Sequence, residues 1–340
     1  MAAEGADFTW IDGERLIRYG PGAIDSARDL LEQRGFSRYA LLTTERALAD
    51  ARHLGEGAEL VLFVPPTPVP EAAAAVRDEV GGRPVVAFGG GRVIDAAKAI
   101  AGADHLPCAA LPTTLSGAEM TQIHRMPAGV ERIKLVRPAL VIADPRRMAS
   151  QPMPDIAASA MNALAHGMEP LYTPYANPVA ELTALRGARL IAAGLEGDGE
   201  PDRNDLALGS LMCAYALDSA GYAVHHVLCQ TIVRIALTPH AQTNAVMVPH
   251  TMAFMAARAP EAIGRLAAAL RAGRADPALA PEEAVRLAAR SGVTRLSEIG
   301  FDEGRIDAVV AAAVARPELA NTPPAPPGPE DLARLIRHAL

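Results

Sequence analysis

The sequence predicts a two-part fold, an α/β part with a parallel sheet flanked by helices, followed by an all-α part. Between residues 39 and 145, short β-rich apolar runs alternate with helical stretches. After residue 154, Ala- and Leu-rich segments with a three- to four-residue period follow one another without a strand pattern. Because 340 residues exceed the usual size of one core, we expect domains at 1–153 and 154–340 with a cleft between them.

The predicted strands are YALLTT, LVLFVPP, RPVVAFGGG and ALVIADP, and helical segments such as EAAAAVRDEV and RVIDAAKAIAG separate them. This alternation is typical of a sheet covered by helices on its faces. Near the end, the proline-rich segment NTPPAPPGPE at 321–330 cannot be helical and predicts an extended strap before a last helix, DLARLIRHAL.

Composition and charge exclude several function classes. With 50% hydrophobic and 21% charged residues, the chain can bury a large core. Its net charge of −7 gives no reason to expect nucleic acid or an anionic membrane as a partner. Three cysteines without a C-x-x-C pair argue against disulfides and thiolate zinc sites. The start MAAEGADFTW has no signal-peptide features, so we expect a cytoplasmic protein that does not enter membranes.

Two loops at predicted strand ends are candidate phosphate sites. Gly89, Gly90 and Gly91 lie between an apolar strand and a helix, where backbone N–H groups and the helix N-terminus attract anions. The alternative is a plain tight turn, since neither common nucleotide fingerprint is present. The next strand end supplies a hydroxyl cluster that could hold phosphate or ribose, or could simply cap turns; its members are Thr113, Thr114 and Ser116.

Two apolar helices each carry a polar stripe at three- or four-residue spacing. The first stripe comprises Ser159, Asn162, His166 and Glu169, and the second comprises Ser219, Tyr222, His226 and Gln230. Adjacent residues on a helix point about 100° apart, so the stripe selects His226 over His225. A third histidine, His240, follows a proline in a turn. Three such histidines indicate either a metal site or groups that hydrogen-bond to substrate and transfer protons.

Four segments, in their order, resemble the iron-containing alcohol dehydrogenase superfamily, and within it the maleylacetate reductases. They are FGGGRVIDAAKAIAG, LPTTLSGAEMT, SAMNALAHGMEPLY and HHVLCQTIVRIALTPHAQTNAVMVPH. The resemblance implies a dehydroquinate synthase-like fold with a nucleotide-binding N-terminal domain, usually as a homodimer. It further implies an oxidoreductase that uses NADH or NADPH on a small-molecule substrate: maleylacetate, reduced to 3-oxoadipate, or a similar acid of aromatic compound degradation.

The same resemblance implies roles for individual residues. Gly89 to Gly91 with Asp95 would bind the cofactor pyrophosphate. The second cofactor loop would consist of Thr113, Thr114, Ser116 and Glu119. Lys98 is similar to a recurring lysine of the superfamily, although a lysine on the helix surface is an equal alternative.

The metal-binding positions of the superfamily match Asn162, His166, His226 and His240. The first is an aspartate in the metal-dependent members, and its replacement by a neutral amide weakens attraction for a dication. We therefore expect a metal-free site, with iron or zinc as the alternative. His226 and His240 would then be hydrogen-bond donors that stabilise an enolate, while Asn162 and His166 would orient the substrate.

Other positions leave the substrate and cofactor preference open. Gln230 stands where relatives usually have histidine, and Arg234 replaces a glycine. The cations expected nearest to a dicarboxylate are Arg234, Arg125, Lys134 and Arg137. Glu45 favours NADH, whereas Arg46 favours NADPH. Three alternatives remain: a metal-dependent aldehyde reductase, a non-redox relative of the dehydroquinate synthases, and a nucleotide-binding homologue without catalysis.

Overall fold

A seven-stranded sheet forms the centre of the N-terminal part in the computed structural model, which describes residues 8–197, 199–271 and 273–340. The strands are β1 (Phe8–Asp12), β2 (Arg15–Tyr19), β3 (Ala40–Thr43), β4 (Leu60–Phe63), β5 (Val85–Gly89), β6 (Cys108–Pro112) and β7 (Leu140–Ala143). Their order is β1-β2-β7-β6-β5-β3-β4; β1 is antiparallel to β2, and the other neighbours are parallel. The predicted parallel sheet is confirmed, and the β1–β2 hairpin is an addition that the sequence analysis omitted.

Both faces of this sheet are buried, which explains the continuous apolar runs of its strands. In β5, Val85 and Ala87 belong to one core cluster, while Val86 and Phe88 belong to another. Alternate side chains of one strand therefore enter different cores. The covering helices are α1 (Ala27–Gln33), α2 (Glu45–Ala49), α3 (Arg52–Glu56), α4 (Val69–Val80), α5 (Gly91–Asp104) and α6 (Pro145–Met148).

The described residues of the C-terminal part form helices and their connections and no strand, as predicted. Its α-helices are α7 (Met153–Met168), α8 (Pro178–Gly194), α9 (Arg203–Ala220), α10 (Val224–Ala236), α11 (His240–Arg258), α12 (Pro260–Leu270), α13 (Leu279–Ala288), α14 (Ile306–Val314) and α15 (Pro329–His338). Helix α7 is buried on every side from Ile156 onward and contacts α8, α9 and α11. Its polar side chains therefore lie inside this helical part. Residues 322–328 of the proline-rich segment lie between a 3₁₀ helix ending at Asn321 and α15, which begins at Pro329 within the segment that was expected to be extended.

The chain forms two compact units, and the boundary between them lies between Ser150 and Gln151. That each folds as a separate domain, with the boundary at 153/154, stays a prediction. Among the described helices, none is long and apolar enough to cross a bilayer.

Candidate functional site

The glycine loop and the hydroxyl loop pack directly against each other. The N–H of Thr113 donates to the carbonyl oxygen of Gly89 at 3.0 Å. A Cβ at Gly90 would lie 3.0 Å from the methyl carbon of Thr114, and one at Gly91 would lie 3.0 Å from the Cβ of Ser116. A side chain at either position would push its neighbour by a few tenths of an ångström, so the close packing of the two loops favours glycine at the start of α5.

Two polar side chains of the hydroxyl loop are buried with unpartnered oxygens. Oγ1 of Thr114 and both carboxyl oxygens of Glu119 have no hydrogen-bond partner among the described residues. Burial raises the pKa of Glu119 to about 7, against the opposing charges of Lys98 and Arg15. Unsatisfied buried polar atoms cost free energy unless a ligand pairs with them. Together with the glycine cradle, they fit a dinucleotide, although these residue roles stay predictions.

Lys98 is fully buried, so the alternative of a surface lysine is wrong. Its ammonium group donates to the carbonyl oxygens of Ala118, Thr121 and Ile123 at 2.8–3.0 Å and forms a 2.8 Å ion pair with Asp95. Lys98 therefore fixes the backbone that follows the hydroxyl loop. The pattern of α5 could not show this, because a long cationic side chain on a helix normally reaches solvent.

In the helical unit, a buried carboxylate caps one helix and orients a histidine. Glu169 is 0% exposed and follows α7. It accepts hydrogen bonds from the backbone N–H groups of His225 at 2.8 Å and His226 at 3.4 Å, in the first turn of α10. Its Oε2 also lies 2.5 Å from Nδ1 of His226. Burial raises the pKa of Glu169, and the N–H groups at the N-terminus of α10 oppose this shift because they stabilise negative charge.

This contact determines which nitrogen of His226 faces the site. With the Nδ1 proton bound to Glu169, Nε2 carries a lone pair, and it has no partner among the described residues. Burial, followed by the charges of His240 and Arg316, lowers the pKa of His226 to about 3. The ring is therefore neutral in the free protein, and its role as an N–H donor to substrate stays a prediction.

Asn162 and His166 lie one turn apart on α7 and are 3% and 6% exposed. Oδ1 of Asn162 and Nδ1 of His166 are buried without a partner in the described part of the chain. The His166 and His226 rings are stacked with their centroids 4.9 Å apart. Burial lowers the pKa of His166 well below its usual value, and the charges of His226 and His240 add to this effect. The structure thus brings His166 and His226, one from each stripe, into contact. The second stripe does not lie on one helix as expected, because Ser219 belongs to α9 and Tyr222 lies in the turn before α10.

His225 and His240 have different surroundings. His225 is fully buried, with Nδ1 2.8 Å from Oγ1 of Thr251 and Nε2 2.9 Å from Oδ1 of Asn244. Both ring nitrogens are engaged, in agreement with the choice of His226 from the stripe. His240 is exposed at the first residue of α11, within electrostatic reach of His166 and His226.

The donor set of three histidines, His240 included, and an amide lacks the anionic ligand that would strengthen binding of a ferrous or zinc ion. The buried unpartnered atoms are an amide oxygen and two imidazole nitrogens, all neutral, from Asn162, His166 and His226. The nearby carboxylate, Glu169, is engaged with His226 and the first turn of α10. Iron and zinc sites with imidazole ligands usually gain affinity from an anionic ligand, which this set lacks.

A polar network that sequence reasoning missed lies along the same face of α10. Arg316 donates from Nη1 to Oε1 of Gln230 at 2.9 Å, from Nη2 to the hydroxyl of Tyr222 at 2.8 Å, and from Nε to Glu318 at 3.1 Å. The Tyr222 hydroxyl donates to Glu318 at 2.8 Å. Arg316 has no periodic relation to the stripes, so the sequence held no signal for it. The cations that were predicted instead are all exposed: Arg125, Lys134, Arg137 and Arg234.

Comparison with known proteins places this architecture in a family. The model of the iron-containing alcohol dehydrogenases matches residues 15–145, and the C-terminal model of the same family matches residues 156–340. The chain belongs to the iron-containing alcohol dehydrogenase family. It is therefore an oxidoreductase, and this family depends on NAD or NADP.

Several maleylacetate reductases are similar to this chain over nearly its whole length. Maleylacetate reductase 1 of Rhodococcus opacus is 33% identical to this chain, and the match covers 93% of this chain and 92% of the relative. Maleylacetate reductase 2 of Cupriavidus pinatubonensis is 34% identical, and the match covers 95% of this chain and 94% of the relative. The crystal structure of maleylacetate reductase from a Rhizobium species superimposes with a TM-score of 0.82 at 28% identity, covering 98% of each chain.

Proposed function

We propose that this oxidoreductase reduces maleylacetate, or a similarly small unsaturated oxo acid, at the expense of NADH or NADPH. The observation that carries the proposal is Asn162 among buried neutral donors, where a metal-dependent alcohol dehydrogenase would need an anionic ligand. The full-length similarity to maleylacetate reductases supports the same substrate class.

The reaction is a conjugate reduction. When bound, the nicotinamide supplies a hydride to the carbon β to the substrate ketone. The ketone oxygen becomes an enolate, which the amide of Asn162 and the ring of His240 stabilise by donating hydrogen bonds. The α carbon then takes a proton, so that the carbon–carbon double bond is reduced by two electrons and the ketone is restored. Asn162 and His166 orient the substrate by hydrogen bonds.

The pair formed by His226 and Glu169 holds that proton. A dianionic substrate raises the pKa of the buried His226 ring, because opposite charge favours the imidazolium. Glu169 stabilises the imidazolium through its 2.5 Å contact with Nδ1. Nε2 can then donate to the enolate oxygen and deliver a proton to the product.

Kinetic assays with the purified protein test the reaction. We expect loss of NADH or NADPH absorbance on addition of maleylacetate, with 3-oxoadipate as the product identified by mass spectrometry. His226→Ala should lower kcat by about 100-fold, the lower end of the range for lost acid–base catalysis. Reduction of simple aldehydes but not of maleylacetate would overturn the substrate, and nucleotide binding without any turnover would support a non-catalytic homologue.

Metal analysis tests the absence of a resident ion. We expect elemental analysis to find less than stoichiometric iron or zinc and chelators to leave activity unchanged. Asn162→Asp restores an anionic ligand and should increase zinc affinity, measured by calorimetry, because carboxylate binds a dication better than amide. Inactivation of the unmodified protein by chelators, reversed by iron or zinc, would favour the metal-dependent alternative.

The homodimer implied by the resemblance is part of the same proposal. Analytical ultracentrifugation checks it, since the chain mass is 35.5 kDa and a dimer sediments with twice that mass.

A further inference from the structure

Arg316 is held rigidly although it lies in a short connecting segment. Its side chain is 16% exposed, and its three types of nitrogen each donate to a different partner: Gln230, Tyr222 and Glu318. Tyr222 is in turn fixed by Asn321, whose side-chain amide donates to its carbonyl oxygen at 2.8 Å. A guanidinium fixed in this way loses little side-chain entropy when it binds a planar anion.

The network borders the histidine site. Tyr222, His226 and Gln230 are spaced four residues apart along one side of α10 and its N-terminal approach. The Tyr222 ring lies 5.8 Å from the His226 ring, and the Arg316 guanidinium carbon lies 5.8 Å from the Tyr222 ring centroid. The charge of Arg316 lowers the pKa of His226, in keeping with this proximity.

The partners of the three Arg316 nitrogens differ in charge. Nε faces the carboxylate of Glu318, and Nη2 faces the tyrosine hydroxyl, whereas Nη1 faces the neutral amide oxygen of Gln230. A guanidinium has five N–H groups, so Nη1 and Nη2 each carry a second hydrogen beyond these bonds. A carboxylate on Nη1 forms a stronger, charge-assisted bond than the amide does.

We propose that Arg316 is the specificity-determining residue that binds a carboxylate of the substrate, at the Nη1 end beside Gln230. The inference rests on the proposed reduction of an unsaturated oxo acid. Gln230 accepts from Nη1 while the site is empty of substrate, so it holds the guanidinium in place without neutralising it. Arg316 thereby selects oxo acids over uncharged aldehydes and ketones.

Three variants test this role. Arg316→Gln removes the charge, Arg316→Lys keeps the charge without the planar fork, and Gln230→Glu places a competing carboxylate on Nη1. The probe is adipate, a saturated dicarboxylate that binds without turnover, titrated into protein with NADH by calorimetry. We expect Arg316→Gln and Gln230→Glu to weaken adipate binding by roughly 10- to 100-fold, with partial recovery in Arg316→Lys.

Kinetics separate recognition from damage to the fold. In Arg316→Gln, KM for maleylacetate should rise by at least tenfold, while kcat/KM for uncharged pent-3-en-2-one falls far less. Arg271→Gln is the matched control, because it removes another partly exposed arginine from an ion pair, with Glu283, in the same unit; its kinetics should match the unmodified protein.

The outcomes distinguish the two proposals. If the unmodified protein binds adipate through Arg316 but does not reduce maleylacetate, the substrate assignment fails and the carboxylate site stands. Equal losses with adipate, maleylacetate and pent-3-en-2-one would show a purely structural Arg316 and overturn the inference, as would unmodified protein that binds no adipate.

Discussion

At the scale of single residues, Glu169 connects the architecture of the helical unit to its chemistry. It is the last polar residue of the stripe on α7, and its carboxylate meets the first turn of α10. One group thus stabilises a helix N-terminus and fixes the tautomer of His226. Sequence periodicity predicted that Glu169 shares a face with Asn162 and His166, but the contact with another helix required the folded structure.

Replacing Glu169 by glutamine tests this double role. The amide of Glu169→Gln has one acceptor oxygen, so it cannot serve both the backbone N–H groups and Nδ1 of His226. We expect kcat for maleylacetate to fall by about 10- to 100-fold, the usual cost of losing such an orienting partner. NADH affinity, measured by fluorescence titration, should stay unchanged because the nucleotide loops lie in the other unit.

The pH profile separates orientation from a general loss of structure. Without the carboxylate, the His226 imidazolium is less stable, so the alkaline limb of the kcat profile, where the ring loses its proton, should move to lower pH. A fall in kcat with an unaltered pH profile would instead indicate that Glu169 only supports the fold. Glu283→Gln, which changes another buried carboxylate of the unit, provides the comparison.

Sequence periodicity selected candidate site residues where a helix imposed a period, and their roles stay predictions. Asn162 and His166 on α7, and His226 on α10, stand out because polar groups recur at a helical spacing on apolar helices. His225 was separated from His226 by the same geometry, and its side chain binds Thr251 and Asn244 instead. Arg316 lies outside any such pattern, and only tertiary contacts bring it to the network.

At the scale of elements, buried cations organise the backbone that follows β6. Lys98 binds three carbonyl oxygens of residues 118–123, and Arg15 donates to a fourth, that of Met120, at 2.9 Å. The segment has little regular secondary structure of its own, so these bonds replace those of a helix or strand. The hydroxyl loop is thereby set against the glycine turn at the start of α5.

Lys98→Met should therefore destabilise the whole segment that follows β6, and not merely remove a charge. It leaves three carbonyl oxygens without their donor and Asp95 without its ion pair. We expect the free energy of unfolding to fall by about 3 kcal/mol, as for other buried pairs that lose one partner. NADH affinity should fall as well, measured by fluorescence titration below the melting temperature.

The exposed Lys134 provides the matched substitution for this test. Lys134→Met removes the same charge from the same unit and should change the free energy of unfolding by less than about 0.5 kcal/mol. If the two variants unfold alike in urea and bind NADH alike, Lys98 does not hold the loop.

At the scale of the whole molecule, the fold class followed from the sequence because burial differs between the two halves. Strands covered on both faces give continuous apolar runs, and helices give a three- to four-residue period, so the parallel sheet and the helical part were both predictable. The β1–β2 hairpin was missed because β2, with the sequence RLIRY, has neither a long apolar run nor a strict alternation of polar and apolar residues. Its place beside β7 depends on a contact distant in sequence.

The stability of the whole protein should carry a pH dependence that arises from Glu119. Burial raises the pKa of this carboxyl from 4.5 to about 7, so the folded protein keeps a proton that the unfolded chain has lost. Stability is therefore greatest below pH 4.5 as far as this group is concerned, and it decreases as pH rises through about 7. Through Glu119 alone, the free energy of unfolding should fall by about 3 kcal/mol over that interval.

Glu119→Gln removes the titration and keeps the shape of the side chain. Urea unfolding of the nucleotide-free protein at pH 5 and pH 8 should show the variant gaining stability relative to the unmodified protein as pH rises. The charges that face Glu119 are those of Lys98, Asp95 and Arg15, which the substitution leaves in place. Parallel pH dependence in the two proteins would show that Glu119 is ionised in the folded state at both pH values, paired with Lys98 or Arg15, and would remove it as the source of the effect.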